Sequence, residues 1–169
     1  EFWEYDPTGN TWTQKANFGG TARSHAVGFS IGTKGYIGTG SDGIRKNDFW
    51  EYDPALNTWT QKANFGGTAR YGAAGFNLST KGYIGTGNDG SNRNDFWEYD
   101  PIVNAWAQKA NFGGAARELA VGFQIGTKDY MGTGSNGNYL NEFWEYDPTG
   151  NTWTQKANFG GIGRLGATG

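Results

Sequence analysis

The 169-residue sequence has no cysteine, one methionine, one histidine and only four prolines. Without cysteine there can be no disulfide and no thiolate metal site, and neither a reducing nor an oxidising compartment is indicated. With His25 as the sole histidine, a His-based metal site or a Ser-His-Asp triad lacks the partners it needs, so no cofactor, metal or catalytic residue is expected. Long apolar runs are missing too. No stretch approaches the roughly 18 residues of a membrane-spanning helix, so membrane insertion is not expected. Charge of one sign is also scarce: 14 basic and 16 acidic residues leave a formal net charge of -2. They are spread along the chain with no basic patch to neutralise a phosphate backbone, which argues against nucleic acid as a partner. Finally, no segment carries an apolar stripe at helical spacing, which removes helix-based architectures.

What the chain does contain is 30 glycines, eight Trp, nine Tyr and eleven Phe, a composition suited to many short strands joined by tight turns. Phe-Trp-Glu-Tyr-Asp-Pro begins at Phe2, Phe49, Phe96 and Phe143, a fixed period of 47 residues. A period of this size means a tandem-repeat architecture, in which one unit cannot bury its apolar face without neighbours. The copies run 2–48, 49–95 and 96–142, with a partial copy at 143–169.

Each copy reads as four strands. Val27, Phe29 and Ile31 alternate with smaller or polar residues over 26–31, as do Ala74, Phe76 and Leu78 and then Val121, Phe123 and Ile125, the period-two signature of a half-buried strand A. Strand B is expected over Gly35–Gly40. A polar Asp/Asn/Gly/Ser segment follows as a loop, and Phe-Trp-Glu-Tyr-Asp forms strand C. Pro54 and its equivalents stop that strand, because proline cannot donate to a ladder, and a turn through Asn57 leads into Thr58-Trp59-Thr60-Gln61 as strand D. The unit is therefore an antiparallel four-stranded meander, with full A-B-C-D units at about 24–65, 71–112 and 118–159.

Four short strands in such a period suggest blades of a β-propeller. The pairs Tyr5/Trp12, Tyr52/Trp59, Tyr99/Trp106 and Tyr146/Trp153 share one spacing, and Arg23, Arg70, Arg117 and Arg164 follow strand D. This Tyr-x6-Trp signature with a trailing Arg resembles kelch repeats, and the resemblance covers essentially the whole chain. The family's glycine doublet after strand B is Gly-Thr-Gly here, at Gly38-Thr39-Gly40 and its two equivalents. The Asp-Pro-x-x-Asn-Thr-Trp style is similar to repeats of large secreted or surface proteins of Bacteroidetes-type bacteria. That resemblance implies an extracellular or cell-surface setting. The fold class expected is all-β, with three full kelch-type blades flanked by partial ones. Rings of this kind have four to eight blades, and the chain starts at Glu1 rather than Met. It therefore reads as a piece of a longer polypeptide, with association between chains the second expectation.

The aromatics recur at fixed positions and are expected to pack blade against blade. The Arg residues are expected to tie strands to backbone carbonyls rather than to ring an anion. Glu4, Asp6, Asp48 and their equivalents are expected to make hydrogen bonds within blades near the turns. Asn88 to Asn92 has oxygen-rich calcium-loop character but lacks the downstream Glu, so turn chemistry accounts for it.

Differences between copies cluster after the Arg, in the B–C loop and at the C–D turn. In a meander the first two emerge on one face. That face is the expected binding surface, with Arg45, Lys46, Tyr71, Arg93, Asn138 and Tyr139 its most informative side chains. The function expected is non-catalytic: an interaction or structural module of a larger extracellular bacterial assembly. Its partner would be a protein, a glycan or further copies of the same polypeptide in a homo-oligomer. The alternatives are a designed or amplified self-assembling fragment, and part of a propeller enzyme whose catalytic residues lie elsewhere.

Overall fold

The strand ends follow from local chemistry that each copy repeats. At the C–D turn, Asp53 Oδ1 accepts the backbone N–H groups of Ala55 at 2.9 Å and Leu56 at 3.3 Å, just where Pro54 has removed a donor. Asn57 then takes a left-handed φ of 52°, which reverses the chain. The computed structural model, which describes residues 1–169, contains fourteen strands and no helix.

The first two strands, β1 (Trp3–Asp6) and β2 (Thr11–Gln14), form a lone C–D hairpin. Three four-stranded antiparallel sheets follow, each in simple A-B-C-D order. Blade 1 is β3 (Val27–Ile31), β4 (Lys34–Gly38), β5 (Phe49–Asp53) and β6 (Thr58–Lys62). Blade 2 is β7 (Ala74–Leu78), β8 (Lys81–Gly85), β9 (Phe96–Asp100) and β10 (Ala105–Lys109). Blade 3 is β11 (Val121–Ile125), β12 (Lys128–Gly132), β13 (Phe143–Asp147) and β14 (Thr152–Lys156).

Strand B is shorter than the sequence pattern suggests. It stops at Gly38 because Thr39 turns into the left-handed region at φ 58°, followed by Gly40 at φ 90°. A Cβ on Gly40 would lie 2.8 Å from the Ser24 carbonyl oxygen, so only glycine fits. Thr39 thus occupies the first position of the glycine doublet at a steric cost that a β-branched residue rarely bears.

The blades are joined by aromatic packing. Phe49 of β5 meets the edges of Tyr99 and Trp106 of the next blade at 4.8 and 5.0 Å, and Phe96 meets Tyr146 and Trp153 at 4.9 and 5.0 Å. Phe2 of the lone hairpin meets Tyr52 and Trp59 at 4.8 and 5.2 Å, so the hairpin stands as the C–D half of a preceding blade. Each such ring contributes about 1.5–3 kcal/mol on burial, and edge-to-face contacts add about 0.5–1.5 kcal/mol. Polar stitches repeat alongside. Asn57 Oδ1 accepts the Ala16 N–H at 2.8 Å, and Trp59 Nε1 donates to the Ala16 carbonyl at 3.1 Å, with the same pair at Ala63 and Ala110.

The starts of the three A strands and the non-strand segment 167–169 line a central channel, mostly with small residues: Ala26 to Gly28, Ala73 to Gly75, Ala120 to Gly122 and Ala167 to Gly169. Inward crowding explains the glycines, since a Cβ on Gly75 would lie 2.1 Å from Val27. A ladder of backbone bonds steps from blade to blade: Gly72 N–H to the His25 carbonyl, Leu119 N–H to that of Gly72, and Gly166 N–H to that of Leu119.

Candidate functional site at the channel mouth

The B–C loops and the D–A connections share one face. Isolated bridges pair Ser24 with Ser41, Tyr71 with Asn88 and Glu118 with Ser135, and others link Lys46 to Arg70 and Arg93 to Arg117. Every B–C loop is therefore hydrogen-bonded both to its own blade's entry segment and to that of the next, which gives the loops a rigid seat.

The Arg that precedes each entry segment anchors it. Arg70 and Arg117 are fully buried. Arg70 donates to the Thr86 carbonyl at 2.8 Å and to Asp95 Oδ2 at 2.8 Å, and it lies 5.0 Å above the Phe65 ring. Arg23 and Arg117 repeat the arrangement with Asp48 and Glu142. The carboxylates also accept the indole N–H of Trp50, Trp97 and Trp144. Burial pushes the Asp95 carboxyl up, but hydrogen bonds from Arg70 and Trp97 outweigh it and hold the group below the usual carboxylate range. These guanidiniums are neutralised and enclosed, so they anchor loops rather than ring an anion. Asp48 and its equivalents correspondingly partner the Arg, whereas Asp53 serves the turn and Glu51 accepts the Tyr36 hydroxyl at 2.6 Å.

Of the six side chains singled out from the sequence, two come together. The Arg45 guanidinium sits 5.7 Å above the Tyr71 ring, joining a B–C loop of blade 1 to the entry segment of blade 2. The His25 ring lies 6.0 Å from that of Tyr71. Burial and the neighbouring Glu118 carboxylate raise the Tyr71 pKa, while Arg45 works in the opposite direction. Glu118 Oε2 is itself buried without a hydrogen-bond partner. Glu118 stands where Tyr71 and Ser24 stand in the other copies, so its departure was visible in the repeat alignment, but its role as neighbour to Tyr71 was not.

The other four lie apart. Lys46 is held by Asp42 of its own loop at 2.8 Å, and Arg93 by Asp89 at 2.8 Å. Hydrogen bonds from Lys46 and Thr21 lower the Asp42 pKa to about 2. At Asp89, burial acts upward but hydrogen bonds from Thr68 and Arg93 bring it to about 2. The Asn88 to Asn92 segment is accordingly a turn closed by its own side chains. Asn138 and Tyr139 cap the blade 3 loop, and no hydrogen bond, ion pair or ring contact joins them to Arg45 or Tyr71. No three His, Cys, Asp or Glu side chains converge in a metal-binding arrangement.

Residues 132–160, from the end of β12 through β14, match the Kelch motif family. No curated protein matches the sequence. Among solved structures, that of YjhT superposes with a TM-score of 0.76 at 17% identity, over 90% of this chain and 57% of YjhT. The chain thus spans little more than half the length of that protein, and at this identity the likeness concerns the fold alone. Fold and period together make the chain an array of β-propeller blades, in which residues 132–160 carry the Kelch motif.

Proposed function

We propose that the chain is a non-catalytic recognition module that binds a protein or glycan partner through the loop face at the channel mouth. The observation that carries this reading is a contrast between scaffold and surface. The blades repeat one backbone, one Arg anchor and one set of interblade rings, yet corresponding mouth positions hold Ser24, Tyr71 and Glu118, or His25, Gly72 and Leu119. A rigid frame presenting unlike side chains from neighbouring blades is suited to recognition. Tyr71, flanked by Arg45 and Glu118, supplies an amphipathic ring with charge of both signs beside it, the chemistry of an interface anchor. In this reading the module serves a larger extracellular or cell-surface bacterial assembly. Support for that setting comes from the style of the repeat.

The test exchanges the B–C loops 41–47 and 88–94 between blades and, separately, replaces Tyr71 by Ala. Binding is read on arrays of bacterial surface polysaccharides and secreted proteins. The expected result is retained folding by circular dichroism with binding lost in both variants. Binding unchanged by both substitutions would remove the loop face from consideration.

A further inference from the structure

The two flanks of the array carry matching halves of the interface that the blades use among themselves. That interface occurs three times within the chain, between the lone hairpin and blade 1, between blades 1 and 2, and between blades 2 and 3. Each instance has the same parts. A strand C Phe and a Phe after strand D face a Tyr and a Trp of the next blade. An Ala after strand D gives its N–H to a turn Asn and takes the Trp indole N–H on its carbonyl.

On the flank of blade 3 the donor half stands without its receiver. Phe159 is 45% exposed, whereas its equivalents Phe65 and Phe112 are each 2% exposed. Phe143 stacks only within its own blade, against Tyr130 and Phe123. The backbone N–H and carbonyl of Ala157 have no protein partner. A Cβ at Gly66 or Gly113 would meet the Trp rings of the following blade within 2.7 Å, but one at Gly160 would meet nothing within 4 Å. Arg164 lies 4.5 Å over the Phe159 ring like its counterparts, yet it has no carboxylate partner. Phe143, Ala157, Phe159 and Arg164 border an open apolar groove of about 360 Å³ whose inner side is lined by Val121, Phe123 and the chain's own Ala167 and Thr168.

On the opposite flank, the hairpin β1–β2 holds the receiver half, equally unused. Trp12 is 65% exposed and Tyr5 44% exposed, whereas the equivalent Tyr52 and Tyr99 are 5% and 0% exposed. Tyr5 and Trp12 pack with tilted rings 5.1 Å apart, as their equivalents do in every blade, and Tyr5 already donates its hydroxyl to Asn10 Oδ1. The Trp12 indole N–H has no acceptor, and Asn10 lacks the Ala N–H that Asn57, Asn104 and Asn151 receive. Glu1 accepts the Trp3 indole N–H at 3.1 Å, as Glu142 does from Trp144, but it lacks the Arg that Glu142 has.

We infer that the flank of blade 3 binds the β1–β2 hairpin of a second copy of this chain, head to tail. Each vacant group on one flank then meets its counterpart on the other: Phe143 and Phe159 meet Tyr5 and Trp12, Ala157 meets Asn10 and the Trp12 indole, and Arg164 meets Glu1. The pairing copies the strand C and D part of an interface the chain already forms three times. Full blades also touch through strands A and B, β3 against β7 and β8 and β7 against β11 and β12. The hairpin has neither strand, so the contact between copies uses the part of the interface made by strands C and D and the segment after D, as the hairpin's own contact with blade 1 does. Such a heterologous contact closes into a ring if its rotation permits and extends into a filament if it does not. It lies on the blade flanks and is independent of the channel-mouth loops.

Sedimentation equilibrium and native mass spectrometry of the 169-residue chain over a range of concentrations test the inference. Concentration-dependent association is expected. Trp12→Ala removes the receiver, and Gly160→Arg blocks the donor flank at a position that touches nothing in the free chain, so its folding is unaffected. Each is expected to weaken association about tenfold or more, the loss typical of a central interface aromatic. Mixed together, the two variants retain one intact pair of flanks and should form a one-to-one dimer. Arg164→Glu should weaken association, and adding Glu1→Arg to the same chain should restore it. A parent chain that stays monomeric overturns the inference. So does a monomer whose Trp12 fluorescence is shielded, which would mean that the hairpin covers its own chain's flank. Variants that assemble like the parent, or a mixture that fails to dimerise, overturn it equally.

Discussion

Asp129 occupies the position that Gly35 and Gly82 hold in the other two blades. Its strand β12 lies against β7 of the preceding blade, and the side chain is fully buried with neither carboxylate oxygen hydrogen-bonded. Burial raises its pKa to about 7. Because the folded-state pKa lies above the unfolded one, the folded chain holds the proton more tightly. The contribution to stability is therefore fully present below about pH 4, falls as pH rises through 7, and is constant above that. Asp129→Asn removes the titration, so the variant should gain on the parent by about 3–4 kcal/mol between pH 4 and pH 8. Denaturant midpoints of both proteins at the two pH values measure this, and a difference that does not change with pH contradicts it. The substitution itself stands in the sequence as a break in the repeat. Its burial depends on a neighbouring blade and could not be read there.

Asn104 shows how one turn residue serves two blades. It holds a left-handed φ of 52°, and its Oδ1 accepts both the Tyr99 hydroxyl and the Ala63 N–H of the preceding blade, each at 2.9 Å. Replacement by Gly keeps the turn and loses the two hydrogen bonds, at a cost of about 1–2 kcal/mol. Replacement by Ala loses them and adds the left-handed penalty, about 1 kcal/mol more. Urea unfolding should rank parent, Asn104→Gly and Asn104→Ala in that order of decreasing stability; equal stability of the two variants would show that the backbone conformation is not what the turn demands. Among the elements, strands C and D and the Pro-to-Asn turn were legible, because their chemistry is local. The end of strand B was not, because Thr39 takes a left-handed φ and Gly40 lies against Ser24 and Ala26 of the entry segment, a contact between stretches distant in sequence.

Over the whole molecule, burial rises toward the middle of the array. Blade 2 holds Ala74, Phe76, Leu78, Tyr83, Ile84, Phe96 and Tyr99 at 5% exposure or less, while every residue of β1 and β2 is exposed. In an array stabilised by neighbour contacts, a unit flanked on both sides opens least. Amide hydrogen exchange should accordingly be slowest in β8 and β9 and fastest in β1 and β2. Uniform protection along the chain would mean that the blades unfold as one unit. The candidate site was partly legible as well. Comparing copies located the variable face, but the sequence treated Arg45, Lys46, Tyr71, Arg93, Asn138 and Tyr139 alike. Only packing shows that Lys46 and Arg93 are bound to aspartates of their own loops, while Arg45 reaches across to Tyr71.

The repeat unit, its four-stranded order and its Tyr-x6-Trp aromatic signature follow from the sequence, because a 47-residue period and two-residue alternation are properties of the chain alone. Packing between blades settles which identical residues differ in circumstance. Phe96 and Phe143 share a sequence context, yet one is sealed between blades and the other faces an open flank. Arg117 and Arg164 likewise differ in surroundings: the first is fully buried between the Thr133 carbonyl and the Glu142 carboxylate, and the second has neither partner. Repetition assigns each copy the same side chains, but burial and pairing depend on the neighbour that stands beside it.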